Sequence, residues 1–370
     1  MNRIKPIDGL RAFAVLGVIW AHIWMFFSNV PMVVKGIDVN KLLSFGGIGV
    51  DLFFVISGFC MYLMYEKKTR NFNAGVYKEF IVKRWKRIAP AFYFVVIFEC
   101  FYYLVNHGEF PLKSFLSHLL FINTFDGSNV LSPPFWSLAT EWHFYLILPC
   151  LFIKDPTGKK LVPRVLILMA VCIIFRLWLY YGQKMTKDET ISNVMIWYRF
   201  VEFGFGILAA RFYLLQKKLP VYLQGSVGFI ISLIIAFGGR LCMTTDVCNR
   251  FGSAAFIVRS LGEPVLTFGF AVMILNLITS KSIFKKFISA NFFLYIGKIS
   301  YSMYLWHWFI SILVSYYIIG KSGISATTME LAFVATLVWL IPVAGLSYYI
   351  FESFYFRKDK SVKKYISQSS

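Results

Sequence analysis

The feature that most constrains this chain is a series of ten apolar stretches. Each is near the roughly 20 residues that a helix needs to cross a bilayer. They fall near 8–28, 46–65, 88–105, 135–153, 163–182, 191–214, 222–238, 253–276, 291–319 and 327–354. A water-soluble fold must cover itself with polar groups. Here 58% of 370 residues are hydrophobic, only 15% are charged, and Phe alone occurs 40 times. An all-α polytopic membrane protein of about ten transmembrane helices follows, because a spanning helix satisfies its own backbone in lipid. The first stretch carries Asp8 and Arg11 and lacks a small-residue cleavage site, so it reads as a retained helix. The segment 115–125 is too short and too polar to cross, and reads as interfacial or re-entrant.

A net charge of +20 would suggest a nucleic-acid partner for a soluble protein. Its distribution points elsewhere. With the N-terminus inside, 25 of the 38 Lys and Arg fall in inner segments and tails and 8 in outer loops. That bias places both termini in the cytoplasm against anionic membrane lipid, with no nucleic acid required. The six cysteines show no zinc or redox spacing. Cys60, Cys100, Cys150 and Cys172 lie in apolar runs and read as packing residues. Cys242 and Cys248 share an outer polar loop where a disulfide is open to them. With no internal repeat or linker, the chain divides into a membrane domain over 1–356 and a basic cytoplasmic tail over 357–370.

Charged and polar residues at bilayer depth are costly and therefore candidates for function. Arg199 with Glu202, and Arg259 with Glu263, have the spacing of ion pairs on one helix face. Each pair either neutralises itself or lines a polar cavity. Arg11 and His22 are 11 residues apart, about 20° from three full turns, and about 16 Å apart along the axis. They share a face with Asp8. Imidazole in that stripe is either a hydrogen-bonded packing residue or a general base or acyl acceptor. Lys83, Arg84, Lys86 and Arg87 close the segment 66–87 just before Pro90. They serve either as topological anchors or as an anion site, where Arg offers bidentate recognition of phosphate. Ser137, Glu141 and Tyr145 share one face of the fourth helix, Glu141 near its outer boundary, and Asp51 sits near the outer end of the second. Lys298, Tyr301 and His307 mark the ninth helix amid interfacial aromatics, and His107, His118 and His143 read as interfacial.

Five motifs occur in order between residues 8 and 308: DGLRAFAVLGVIWAH (8–22), GVDLFFVISGF (49–59), RWKRIAP (84–90), FWSLATEWHFYL (135–146) and ISYSMYLWHW (299–308). With them the sequence resembles the acyltransferase family 3 proteins, bacterial membrane O-acyltransferases that decorate surface polysaccharides. The resemblance implies a multi-pass inner-membrane enzyme that moves an acyl group, acetyl most commonly, from cytoplasmic acyl-CoA to a hydroxyl. The acceptor would be a cell-surface glycan such as lipopolysaccharide, or a lipid-linked oligosaccharide. It implies that His22 is catalytic with Arg11 its motif partner, and that Arg84 and Arg87 bind the CoA phosphates. Asp51 or Glu141 would orient His22. Two departures stand out: the family's Glu-x-Pro near the last helix reads Glu352-Ser353-Phe354, and the acidic pair after WSL reads Glu141-Trp142. The esterase-like domain of some members is not in this sequence, which implies direct transfer or a separate periplasmic transfer partner. The rival class is a transporter or flippase for a glycan or lipid, whose buried charges would line a path.

Overall fold

The computed structural model describes residues 4–35, 37–69, 73–125, 130–153, 155, 158–183, 194–244, 247 and 249–353. Among the described residues the chain is all-α apart from one short hairpin of two-residue strands, β1 (Val33–Val34) with β2 (Ile37–Asp38). Its long helices fall at the ten expected places. They are α1 (Lys5–Phe26), α3 (Gly49–Thr69), α4 (Ala74–His107), α6 (Trp136–Ile147), α7 (Leu161–Gln183) and α8 (Ile196–Leu214), then α9 (Gly225–Cys242), α10 (Ala255–Thr279), α12 (Asn291–Ser322) and α13 (Ala326–Ser347). Short helices α2 (Val39–Ser44), α5 (Leu112–Leu119) and α11 (Ile283–Ile288) lie in the connections.

Among the described residues, eight of the long helices have the length and apolarity to cross a membrane. The other two differ for visible reasons. Helix α8 carries Arg199, Glu202 and Arg211, and α6 runs for 12 residues before tightening into a 3₁₀ turn over Leu148–Phe152. The protein is a multi-pass membrane protein.

The largest departure from expectation is α4. Residues 74–87 are the first part of a single 34-residue helix and not a loop. The Asn73 side chain caps it by accepting from the Val76 amide at 3.0 Å, and no breaker intervenes before Pro90. At 1.5 Å per residue it is about 50 Å long, against a hydrocarbon core of about 30 Å. Hydropathy registers only the part that lipid surrounds.

Helix α1 runs between α12 on one side and α3 with the Phe45–Ile48 turn on the other; α3 packs on α8, α8 on α7, α9 on α10, and α12 on α13. Small residues allow the closest crossings, as membrane helix pairs require. A Cβ added at Gly206 would lie 2.1 Å from the Val55 carbonyl oxygen, and one at Gly58 2.2 Å from that of Phe203. Helices α3 and α8 therefore meet backbone to backbone. This contact sets Ser57 and Asp51 on α3 against the polar residues of α6 and α8.

Of the cysteines expected to pack, Cys100 and Cys172 are buried, but Cys150 is exposed. Cys60 is half-buried and touches an arginine. The proposed Cys242–Cys248 bridge and the 357–370 tail involve positions outside the described residues.

Candidate active site

Helix α1 holds its polar residues on one stripe, and the structure gives the two ends of that stripe different surroundings. At the lower end Asp8 accepts from Arg11 at 3.4 Å. Arg11 reaches across to α3, its Nη2 donating to Cys60 Sγ at 3.8 Å. At the upper end His22 Nδ1 lies 3.0 Å from Nε2 of His307 on α12. The two rings stack at 20° with centroids 5.1 Å apart, and Trp308 packs edge-on against His22.

The tautomers of this pair follow from a third atom. His307 Nδ1 lies 2.6 Å from the Tyr304 carbonyl oxygen, which can only accept, so Nδ1 carries the proton. In a neutral ring Nε2 is then an acceptor, so His22 Nδ1 is the donor between the two rings. The Nε2 of His22 is left with its lone pair. His307 is 0% exposed, whereas His22 is only half-buried. One ring is a fixed support and the other can meet a substrate.

Arg84 and Arg87 lie one turn apart on α4 and face the bundle interior. Arg84 is buried and Arg87 half-buried, while Lys86 and Trp85 between them point outward. Lys83 is taken up by Glu79 at 2.9 Å. The inward turn of the two arginines is unlike simple anchoring. Arg11, Arg84 and Arg87 all act electrostatically on Cys60, so the first motif's arginine and the Arg-x-x-Arg pair surround one basin. Glu141 belongs to the same basin. It accepts from the hydroxyls of Ser57 at 2.7 Å and Tyr145 at 2.5 Å, and Tyr145 in turn feels Arg87 and Arg84. Glu141 thus joins α3 to α6 through two hydroxyls, beside a tyrosine within reach of the basic residues.

Asp51 occupies the first turn of α3, as expected, but its carboxylate is committed. It accepts from Arg199 at 3.1 Å, and Arg199 also reaches Glu202 at 3.0 Å. The expected Arg199–Glu202 pair is thus formed. The Arg259–Glu263 pair is replaced: Glu263 accepts from Arg176 of α7 at 2.5 Å, and Arg176 also donates to the Tyr198 carbonyl. Neither Asp51 nor Glu141 makes the expected contact with His22. Both have other donors, and the Nδ1 side of His22 is filled by His307.

Sequence reasoning set aside two residues that the structure brings in. His307 stood in a motif without a partner, and nothing in the register of α1 and α12 announces the contact. Glu352, discounted for want of Glu-x-Pro, is 3% exposed and accepts from the Ser302 hydroxyl at 2.6 Å. A π-turn over Tyr348–Glu352 turns it inward, within the electrostatic reach of Arg87 and Arg11. His118 is buried at 2% exposure beside Phe92 and Phe135.

A family model described as an acyltransferase domain matches residues 4–350. The O-acetyltransferase OatA of Staphylococcus aureus is 24% identical over 361 residues, covering 90% of this chain and 55% of that protein. The peptidoglycan O-acetyltransferase OatA of Listeria monocytogenes is 25% identical over 336 residues, covering 82% of this chain and 49% of that protein. The chain therefore spans about half the length of these curated relatives. No solved structure matches it. The ordered motifs, the helical membrane fold and the match over nearly its whole length together place this chain in the acyltransferase 3 family.

Proposed function

We propose that this chain is a membrane O-acetyltransferase that takes an acetyl group from cytoplasmic acyl-CoA and places it on a hydroxyl of a cell-wall or other cell-surface glycan. The peptidoglycan named for the Listeria relative is the acceptor to test first. The observation that carries the reading is the His22–His307–Tyr304 chain of hydrogen bonds, which leaves a lone pair on the half-buried ring.

In the proposed reaction His22 Nε2 removes the proton of the acceptor hydroxyl as its oxygen attacks the thioester carbonyl carbon. The carbon–sulfur bond breaks, the thiolate of CoA leaves, and the proton on His22 passes to it. The products are the glycan ester and CoA thiol. Arg84 and Arg87, with Arg11 beyond them, hold the phosphates of the donor by charge-assisted hydrogen bonds. The stripe from Arg11 to His22 is about 16 Å long, a length that a pantetheine arm can span. Glu141, held by Ser57 and Tyr145, braces α3 against α6 beside this basin, and Asp51, held by Arg199, braces α3 against α8. On this reading Asp51 and Glu141 support the site and do not orient His22. The outer half of the chemistry either meets the glycan directly or hands the acyl group to a separate transfer partner.

The test is transfer of label from radioactive acetyl-CoA to glycan in membranes holding the chain. His22→Ala should abolish the labelled ester while the protein stays at its normal level in the membrane. An active His22→Ala variant sinks the mechanism. A chain that transports glycan or lipid without labelling anything would point to the rival transporter class.

A further inference from the structure

Helix α4 carries a carboxylate that the proposed reaction does not use. Glu99 is 6% exposed, about three-quarters of the way along that helix, and among the described residues no cation lies within ion-pairing distance of it. A carboxylate at such depth is costly and persists where it has work to do. Both of its oxygens are engaged by one residue: the Ser132 amide donates to Oε2 at 2.8 Å and the Ser132 hydroxyl to Oε1 at 2.5 Å.

Ser132 opens the short turn Pro133–Phe135, in which two successive prolines fix the backbone. The carbonyl oxygen of Pro134 lies 3.0 Å from both the Ser137 and the Tyr304 hydroxyls, and those hydroxyls are 2.7 Å apart. Tyr304 supplies the carbonyl that holds His307 Nδ1, and its ring packs against His307 with centroids 5.1 Å apart. A continuous strut thus runs from α4 through a proline-stiffened turn to α12, ending on the imidazole that supports His22. We propose that Glu99 is a positioning residue, whose grip on Ser132 fixes the height and rotation of Tyr304 and so the His307–His22 hydrogen bond. The inference rests on the reading of His22 as the working base.

The experiment compares Glu99→Ala, Glu99→Gln and Ser132→Ala in the full chain in membranes, bounded by wild type and His22→Ala. A displacement of about 1 Å at a reacting group can cost about 100-fold, so Glu99→Ala should lower kcat about 10- to 100-fold with the acetyl-CoA KM within about twofold. Gln keeps both contacts, its amide oxygen accepting from the Ser132 amide and its NH₂ donating to the hydroxyl. Glu99→Gln should therefore return kcat to within about threefold of wild type. A wild-type kcat in Glu99→Ala overturns the proposal, as does a loss confined to KM or a Gln variant no better than Ala. Should Glu99→Ala fail to accumulate, Ser132→Ala carries the test: a several-fold loss of kcat supports the strut, and an unchanged kcat overturns it. Activity in His22→Ala would instead overturn the underlying reading, whatever the Glu99 variants do.

Discussion

His22 and His307, 285 residues apart in sequence, meet in a hydrogen bond of 3.0 Å in which the buried ring supports the accessible one. The partner of a catalytic imidazole selects its tautomer and orientation, a task that a carboxylate performs in the serine hydrolase triad. In the proposed site a neutral imidazole anchored on a backbone carbonyl would perform it, and the support would add no fixed negative charge beside His22. His307→Ala should leave His22 free to turn and its Nδ1 without a partner. We expect kcat to fall about 100-fold, less than the loss in His22→Ala, because general-base catalysis contributes about 10²- to 10⁴-fold. The acetyl-CoA KM should stay near wild type, since the arginine basin lies at the other end of the stripe. Steady-state kinetics on membranes checks both, and a wild-type kcat in His307→Ala removes the supporting role.

Arg84 and Arg87 make a different prediction because they face the interior one turn apart while their neighbours face outward. Binding of the donor phosphates is made equally in the ground and transition states, so losing it raises KM and spares kcat. Arg84→Ala and Arg87→Ala should each raise the acetyl-CoA KM by about tenfold, the loss of one charge-assisted contact of about 1.5 kcal/mol. Lysine should rescue poorly, because a point charge does not reproduce the planar fork of guanidinium. A variant that loses kcat at unchanged KM would move these residues from phosphate binding to the chemical step.

How much of this was legible in the sequence depended on which force fixed each feature. Helix positions were readable because the bilayer imposes a length and a polarity on each span. The start of α4 was not, since residues 74–87 form helix on a cap and a continuing backbone ladder beyond the lipid. The stripe of Asp8, Arg11 and His22 was readable from helical periodicity alone. The partner of His22 was not, because it depends on how α1 and α12 are apposed, which no local pattern encodes. Local spacing also misled at Glu263, where an arginine four residues away lost to Arg176 on another helix. The inter-helix pair is fully enclosed, and desolvated groups gain most from a partner that closes over them.

That enclosed pair supports the last prediction, which concerns stability and not turnover. Arg176 and Glu263 have side-chain exposures of 0% and 3% and meet at 2.5 Å. Glu263 also lies in the electrostatic field of Glu202 and Arg199, so two acids and two arginines share this part of the core with Asp51. Removing Arg176 leaves Glu263 facing Glu202 with Arg199 shared between them. Loss of one partner from a buried pair costs about 3–5 kcal/mol, whereas replacing both by apolar groups of similar volume is often neutral or stabilising. Arg176→Ala and Glu263→Ala should each melt well below wild type in detergent. The double variant Arg176→Met/Glu263→Leu should recover most of the loss, with the Tyr198 carbonyl, also served by Arg176, accounting for the remainder. Melting of Arg176→Ala at the wild-type temperature would show that the network is solvated, and that its charges line a path instead of closing the core.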